Sequence, residues 1–172
     1  VESFGISHSL VGLDGELKAR GVKADGTPWL VAVERPDYAL RSAMGVIELR
    51  DAAIATSGDY RHWIDLGGRR LSHTMDRARG GPTDNGITSV SVVAESCMDA
   101  DAWATALLVL GPARGEALAQ RHGFDALFIR SACGMLAEIP VGPTFRSASL
   151  PPARMAAPGN GRSSRSCRHL PP

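Results

Sequence analysis

The chain has 172 residues, of which 44% are hydrophobic, 22% charged and 5% aromatic, and its formal net charge is +1. That length holds one domain with a substantial core and hardly two. Near-neutral charge gives no drive toward nucleic acid or an anionic membrane, and so few aromatic residues argue against a base-stacking surface.

The first two-thirds of the chain read as strands joined by tight turns. Turn chemistry in "ADGT" leads into "PWLVAVERP" (28–36), a β-rich run bounded by prolines, and "GVIELRD" (45–51) is a second strand. "AAIATSGDYR" (52–61) reads as a strand ending in a Ser-Gly-Asp loop. In "YRHWIDLGGRRLSHTM" the pair Gly67-Gly68 supplies the positive φ angles of a two-residue hairpin turn. A polar Gly/Pro-rich loop, "DRARGGPTDNG" (76–86), precedes the β-branched strand "ITSVSVVAE" (87–95).

A helix is expected from Met98 to Leu110. From Ala102 to Leu110 only Thr105 is polar, so the segment reads as a helix buried on nearly all sides. Gly111-Pro112 stops it and starts another, which closes on Gly123. "FDALFIR" and "GMLAEIP" are the expected last strands. From Arg146 the composition turns to Arg, Pro and Ser with no acid, which reads as a disordered tail (146–172) behind a folded part (1–145). The fold class is α+β, strands first and a helix pair late. No internal repeat is visible.

Three groups of residues carry chemistry. Asp101 and Thr105 stand at i and i+4, so a carboxylate and a hydroxyl share one helix face. Hard oxygens in that arrangement suit Mg²⁺, which takes one or two carboxylates and completes its shell with water and phosphate. The plainer alternative is that Asp101 or Asp99 caps the helix while Thr105 bonds the carbonyl four residues back. His73, on the second arm of the hairpin, is a candidate general base or phosphate donor, or simply a packed histidine. The Thr-Ser-Gly turn of "ATSGDYR", with Arg61 beside it, offers hydroxyls, backbone N–H groups and charge to an anion. Cys97, Cys133 and Cys167 are odd in number with no CxxC pair, so they form neither a disulfide framework nor a zinc motif. No transmembrane-length stretch, signal peptide, Walker loop, GxGxxG or GxSxG is present.

Taken in order, "DGELKARG", "GTPWLVAVERP", "IATSGDYR", "DLGGRRLSHTMD" and "ITSVSVVAESCMDADAWATALLVLGP" resemble the C-terminal two-thirds of the ApbE family, the FAD:protein FMN transferases. The resemblance runs from about Phe4 to about Phe145. It implies an ApbE-like flavin transferase domain, of mixed and antiparallel sheets with packed helices, that is N-terminally incomplete. It further implies a Mg²⁺-dependent enzyme that splits FAD, transfers FMN to a Thr or Ser hydroxyl of an acceptor flavoprotein subunit, and releases AMP. On that resemblance Asp101 and Thr105 ligate the metal, His73 acts in the phosphoryl-transfer step, Met75 lines the flavin site, and Ser57 and Gly58 lie beside the pocket. It also implies work on the periplasmic side of the bacterial inner membrane and leaves a homodimer open.

The chain departs from the family pattern in the loop after the histidine. "IDPxTGxP" becomes "MDRARGGP", with Arg77 for Pro and Arg79 for Thr. The family's N-terminal third, which brings a further backbone metal contact and nucleotide-binding residues, has no counterpart here. Two alternatives therefore accompany the transferase: a pyrophosphatase that hydrolyses FAD to FMN and AMP, and a non-catalytic fragment that binds flavin weakly.

Overall fold

The computed structural model describes residues 2–132 and 135–148. A short 3₁₀ turn, Glu2–Phe4, leads into β1 (Ser9–Leu13) and β2 (Glu16–Arg20). β3 (Trp29–Glu34) and β4 (Ala43–Leu49) follow, then β5 (Ala53–Gly58), β6 (Trp63–Leu66) and β7 (Arg69–Ser72). After the small pair β8 (Met75–Asp76) and β9 (Gly81–Pro82) come β10 (Ile87–Ala94) and α1 (Cys97–His122). β11 (Asp125–Ala132), β12 (Met135–Val141) and the one-turn α2 (Pro143–Arg146) complete the described chain.

Six strands form one sheet in the order β1-β2-β5-β10-β11-β12, every pair antiparallel. The hairpin β3–β4 is a separate ribbon, as are β6–β7 and β8–β9. Alternation along the central strands produces a core on each face of the sheet. On one face Ala126 and Phe128 of β11 join Val90 and Val92 of β10 beneath Ala104, Leu107 and Leu108 of α1. On the other, Leu127 and Ile129 of β11 and Ile54 of β5 pack against Val31, Val33, Ile47 and Leu49 of the β3–β4 ribbon and Phe145 of α2. The result is three layers: helix, sheet, ribbon.

The β6–β7 hairpin turns on Gly67 and Gly68, at φ 60° and 77°, with Leu66 paired to Arg69 as the sequence requires. The helical segment differs from its expectation. It is buried along one face only, through Ala100, Ala104, Leu107, Leu108 and Gly111, while Met98 is 76% and Trp103 36% exposed. A single sheet lies beneath the helix, so one stripe is covered and the rest, though apolar in sequence, faces outward. Asp101 and Thr105 stand on this exposed flank.

The break at Gly111-Pro112 is where the sequence puts it. Gly111 has φ 76° and ψ −176°, outside the helical region, and Gly123 closes the second segment in the left-handed conformation. Pro112 has no N–H for the carbonyl of Leu108 four residues back. That carbonyl instead accepts a hydrogen bond from Asn85 Nδ2 at 2.8 Å.

The expected boundary between folded part and tail falls inside α2: Phe145 is buried, and Ala148 still packs against the ribbon-side core. The rest of the Arg/Pro-rich stretch, 149–172, lies outside the described residues, as do Cys133 and Cys167. Cys97 is a free thiol. No helix among the described residues is long and apolar enough to cross a membrane.

Candidate active site

The N-terminus of α1 is closed by Ser96, whose hydroxyl accepts from the backbone N–H of Asp99 at 3.0 Å and donates to the Asp99 carboxylate at 2.6 Å. This reciprocal cap leaves Asp101, two residues on, without a capping task. Thr105 meets a partner outside its own helix: its Oγ1 lies 2.7 Å from Ser57 Oγ on β5. Capping therefore falls to Ser96 with Asp99, the second of the two aspartates expected for it, and not to Asp101, while Thr105 has a hydroxyl partner on the sheet.

β5 supplies two adjacent hydroxyls to opposite faces of the sheet. Thr56 meets Ser91 of β10 at 2.7 Å on the ribbon side, and Ser57 meets Thr105 on the helix side. Ser57 and Gly58 are the last two residues of β5, paired with Val90 and Ser89, and do not form the free anion-binding turn expected from "TSG". Gly58 is needed for space: a Cβ there would come within 2.7 Å of the Tyr60 ring and 2.9 Å of the Thr88 carbonyl.

His73 follows the last residue of β7. Its Nδ1 lies 2.8 Å from the backbone carbonyl of His62, and the two imidazoles meet edge to face at 5.6 Å. A carbonyl only accepts, so Nδ1 carries the proton and Nε2 of the neutral ring keeps its lone pair. Ser57, Gly58, His73, Asp101 and Thr105 all line one cavity of about 1040 Å³, to which Val31, Val33 and Glu34 of β3 also contribute. Met75 does not line it; this residue sits on β8 opposite Pro82 and is 58% exposed.

The same cavity contains a charged cluster that sequence reading did not single out. Glu34, at the end of β3, receives Arg61 through both Nε (3.2 Å) and a terminal nitrogen, Arg41 Nε at 2.8 Å, and the Tyr60 hydroxyl at 3.4 Å. Burial works against ionisation of Glu34, but hydrogen bonds from Arg61 and Arg41 hold its carboxyl below the ordinary value. Burial, reinforced by the Glu34 charge, pushes the Tyr60 phenol up to about 12. The charge on Arg61, expected to serve an anion directly, is thus tied to Glu34. Arg41 leaves the cluster with one positive charge in excess. A lone glutamate 27 residues before its arginine has no sequence signature.

A smaller cavity of about 370 Å³ lies next to Ser72, lined by Tyr38, Asp59, Arg70, Arg79 and Asn85 among others. Burial raises the Asp59 carboxyl above its ordinary value, and Tyr38 donates to it at 3.3 Å. In the altered loop, Arg79 donates to the carbonyl of Asp84 at 2.8 Å and Asp76 accepts the N–H of Ala78 at 2.8 Å. The substituted arginine braces the loop.

The donor chemistry suits a hard divalent cation. Asp101 offers a carboxylate and Thr105 a hydroxyl on one helix face, and the cavity leaves room for phosphate and water oxygens. No cluster of three or more His, Cys, Asp or Glu side chains able to hold a metal occurs among the described residues.

Comparison with known proteins places this arrangement in a lineage. The ApbE family model matches residues 1–128. The FAD:protein FMN transferase of Vibrio cholerae is 43% identical over 129 residues, which is 75% of this chain and 39% of that protein. Its Escherichia coli K12 counterpart is 38% identical over the same length, covering 37% of that protein. The solved structure of flavin transferase ApbE from Vibrio cholerae superposes with a TM-score of 0.69 at 38% identity, over 81% of this chain and 44% of that one. The chain thus spans about two-fifths of the length of the relatives it matches. With the family model matching residues 1–128 and the fold superposing on a solved flavin transferase ApbE, the chain belongs to the ApbE family.

Proposed function

We propose that the chain takes part in Mg²⁺-dependent transfer of FMN from FAD to a Thr or Ser hydroxyl of an acceptor protein, with release of AMP. The observation that carries this reading is the single cavity bringing together His73, Ser57, Asp101 and Thr105. The relatives named FAD:protein FMN transferase support flavin transfer as the reaction class.

The chemistry follows from the residues. Attack of the acceptor hydroxyl on the FMN-side phosphorus forms one P–O bond and breaks the pyrophosphate P–O bond, and AMP leaves with that electron pair. His73 Nε2, held outward by the Nδ1 bond to His62, takes the proton released by the hydroxyl. Asp101 and Thr105 would hold the cation, which when bound supplies charge neutralisation at the phosphate oxygens. Arg41 and Arg61 bring two positive charges to a cavity also lined by Asp14, Glu16, Glu34 and Asp101, so an anionic substrate there depends on the added charge of a bound cation.

Water in place of the acceptor hydroxyl would give FAD hydrolysis, a second reading that the solvent exposure of His73 favours. The test is incubation with FAD, Mg²⁺ and an acceptor protein carrying a candidate Thr. Fluorescent, covalently flavinylated acceptor with stoichiometric AMP is expected. Free FMN and AMP alone would assign the hydrolase. Neither product would overturn both, and AMP release unaffected by Asp101→Asn would overturn the metal assignment.

A further inference from the structure

We propose that Ser57 is a positioning residue for Thr105, and through it for the divalent cation. It acts by accepting the Thr105 hydroxyl proton, so that the lone pairs of Oγ1 face the cavity. This rests on the metal reading given above and assigns Ser57 a task different from lining the flavin pocket.

The argument begins with the hydroxyl itself. Thr105 Oγ1 has one proton and two lone pairs, and a cation takes a lone pair. The proton needs an acceptor that lies away from the ion. For a helical threonine the usual acceptor is the carbonyl four residues back, here that of Asp101. Ser57 Oγ at 2.7 Å provides an acceptor from the sheet instead. The bond can run in either sense, but only with Thr105 donating are both of its lone pairs free.

The placement of Ser57 is fixed independently of the bond. Its neighbour Thr56 is committed to Ser91 on the ribbon side, and its cross-strand partner Val90 belongs to the core under α1. Ser57 therefore points at α1 by strand alternation. Ala104 and Leu108, on either side of Thr105, anchor the helix to that core. The hydroxyl pair sits where two rigid elements meet and lines the same cavity as Asp101. Residues that orient a metal ligand in this way commonly change metal affinity when removed, by about tenfold or more.

The test uses Mn²⁺ as a spectroscopic stand-in, titrated into the full chain with and without FAD and followed by the EPR signal of free Mn²⁺. Ser57→Ala is expected to weaken binding by about tenfold with little change in melting temperature, and Ser57→Thr to restore it. In a Thr105→Ala background, Ser57→Ala is expected to have no further effect. Wild-type affinity in Ser57→Ala overturns the inference. So does weakened binding accompanied by a large fall in melting temperature that Ser57→Thr does not rescue, which marks a structural tie. Absent Mn²⁺ binding, or binding that neither Asp101→Asn nor Thr105→Ala weakens, overturns the metal reading itself and is read without reference to Ser57.

Discussion

The imidazole of His73 is hydrogen-bonded through Nδ1 to the backbone carbonyl of His62, 2.8 Å away and eleven residues earlier in the chain. A main-chain acceptor cannot titrate and moves only with the hairpin, so the tautomer is held by the fold. His73→Ala is expected to lower FMN transfer by about 10²–10⁴-fold, the usual worth of a positioned acid or base. Because the ring is exposed, the melting temperature should hardly move. Transfer rates and a thermal melt on one preparation check both; a rate within a factor of two of wild type would remove His73 from the mechanism.

Asn85 carries a structural burden at the helix break. Its amide donates to the Leu108 carbonyl that Pro112 cannot serve, and its own oxygen accepts the N–H of Ile87 at 3.1 Å. Asn85→Ala is expected to cost about 1–2 kcal/mol, since a part-buried carbonyl loses its donor. Asn85→Asp should cost more, because a carboxylate would then face that carbonyl with no proton to give. Denaturant unfolding of wild type and the two variants orders them, and an Asn85→Asp protein as stable as wild type would refute the account.

Glu34 makes stability depend on acid. Its folded-state carboxyl titrates below the ordinary value of 4.5, so the stabilising charge is fully present above that pH. The contribution is lost as pH falls through the lower, folded-state value. Glu34→Gln should therefore lower the melting temperature at pH 7 by about 3 °C, and the difference from wild type should shrink below pH 4. Melts at pH 7, 5 and 3.5 provide the comparison; a constant difference across them would contradict it.

Asp59 has the opposite sign. Burial raises its carboxyl, so its ionisation in the folded state is unfavourable, and stability falls as pH rises through that raised value. Asp59→Asn keeps an acceptor for the Tyr38 hydroxyl and removes the buried charge. It should raise the melting temperature at pH 7 and leave it unchanged near pH 3. A lower value at pH 7 would show that the charge has a compensating partner.

Local chemistry in the chain was enough to specify most elements. The Gly67-Gly68 hairpin, the proline-bounded β3, the β-branched β10 and the Gly111-Pro112 break with its Gly123 cap each depend on dihedral preferences or periodicity within a few residues. The ordered blocks likewise carried the family, and the i, i+4 spacing put Asp101 and Thr105 on one helix face. Burial was a different matter. The composition of 102–110 suggested a helix enclosed on nearly all sides, whereas the number of neighbouring elements decides enclosure, and among the described residues one sheet covers one stripe of α1.

Partners distant in sequence were decided by tertiary structure alone. Ser57 and Thr105 are 48 residues apart, Glu34 and Arg61 27, Asn85 and Leu108 23, and no local pattern encodes such meetings. They follow from strand order, which places β5 beside β10 and beneath α1 and lays the β3–β4 ribbon on the opposite face. Sequence spacing could mark which residues are candidates for that chemistry. Only the packing of helix, sheet and ribbon shows which neighbour holds each of them, because a hydrogen bond depends on distance and direction in space and not on separation along the chain.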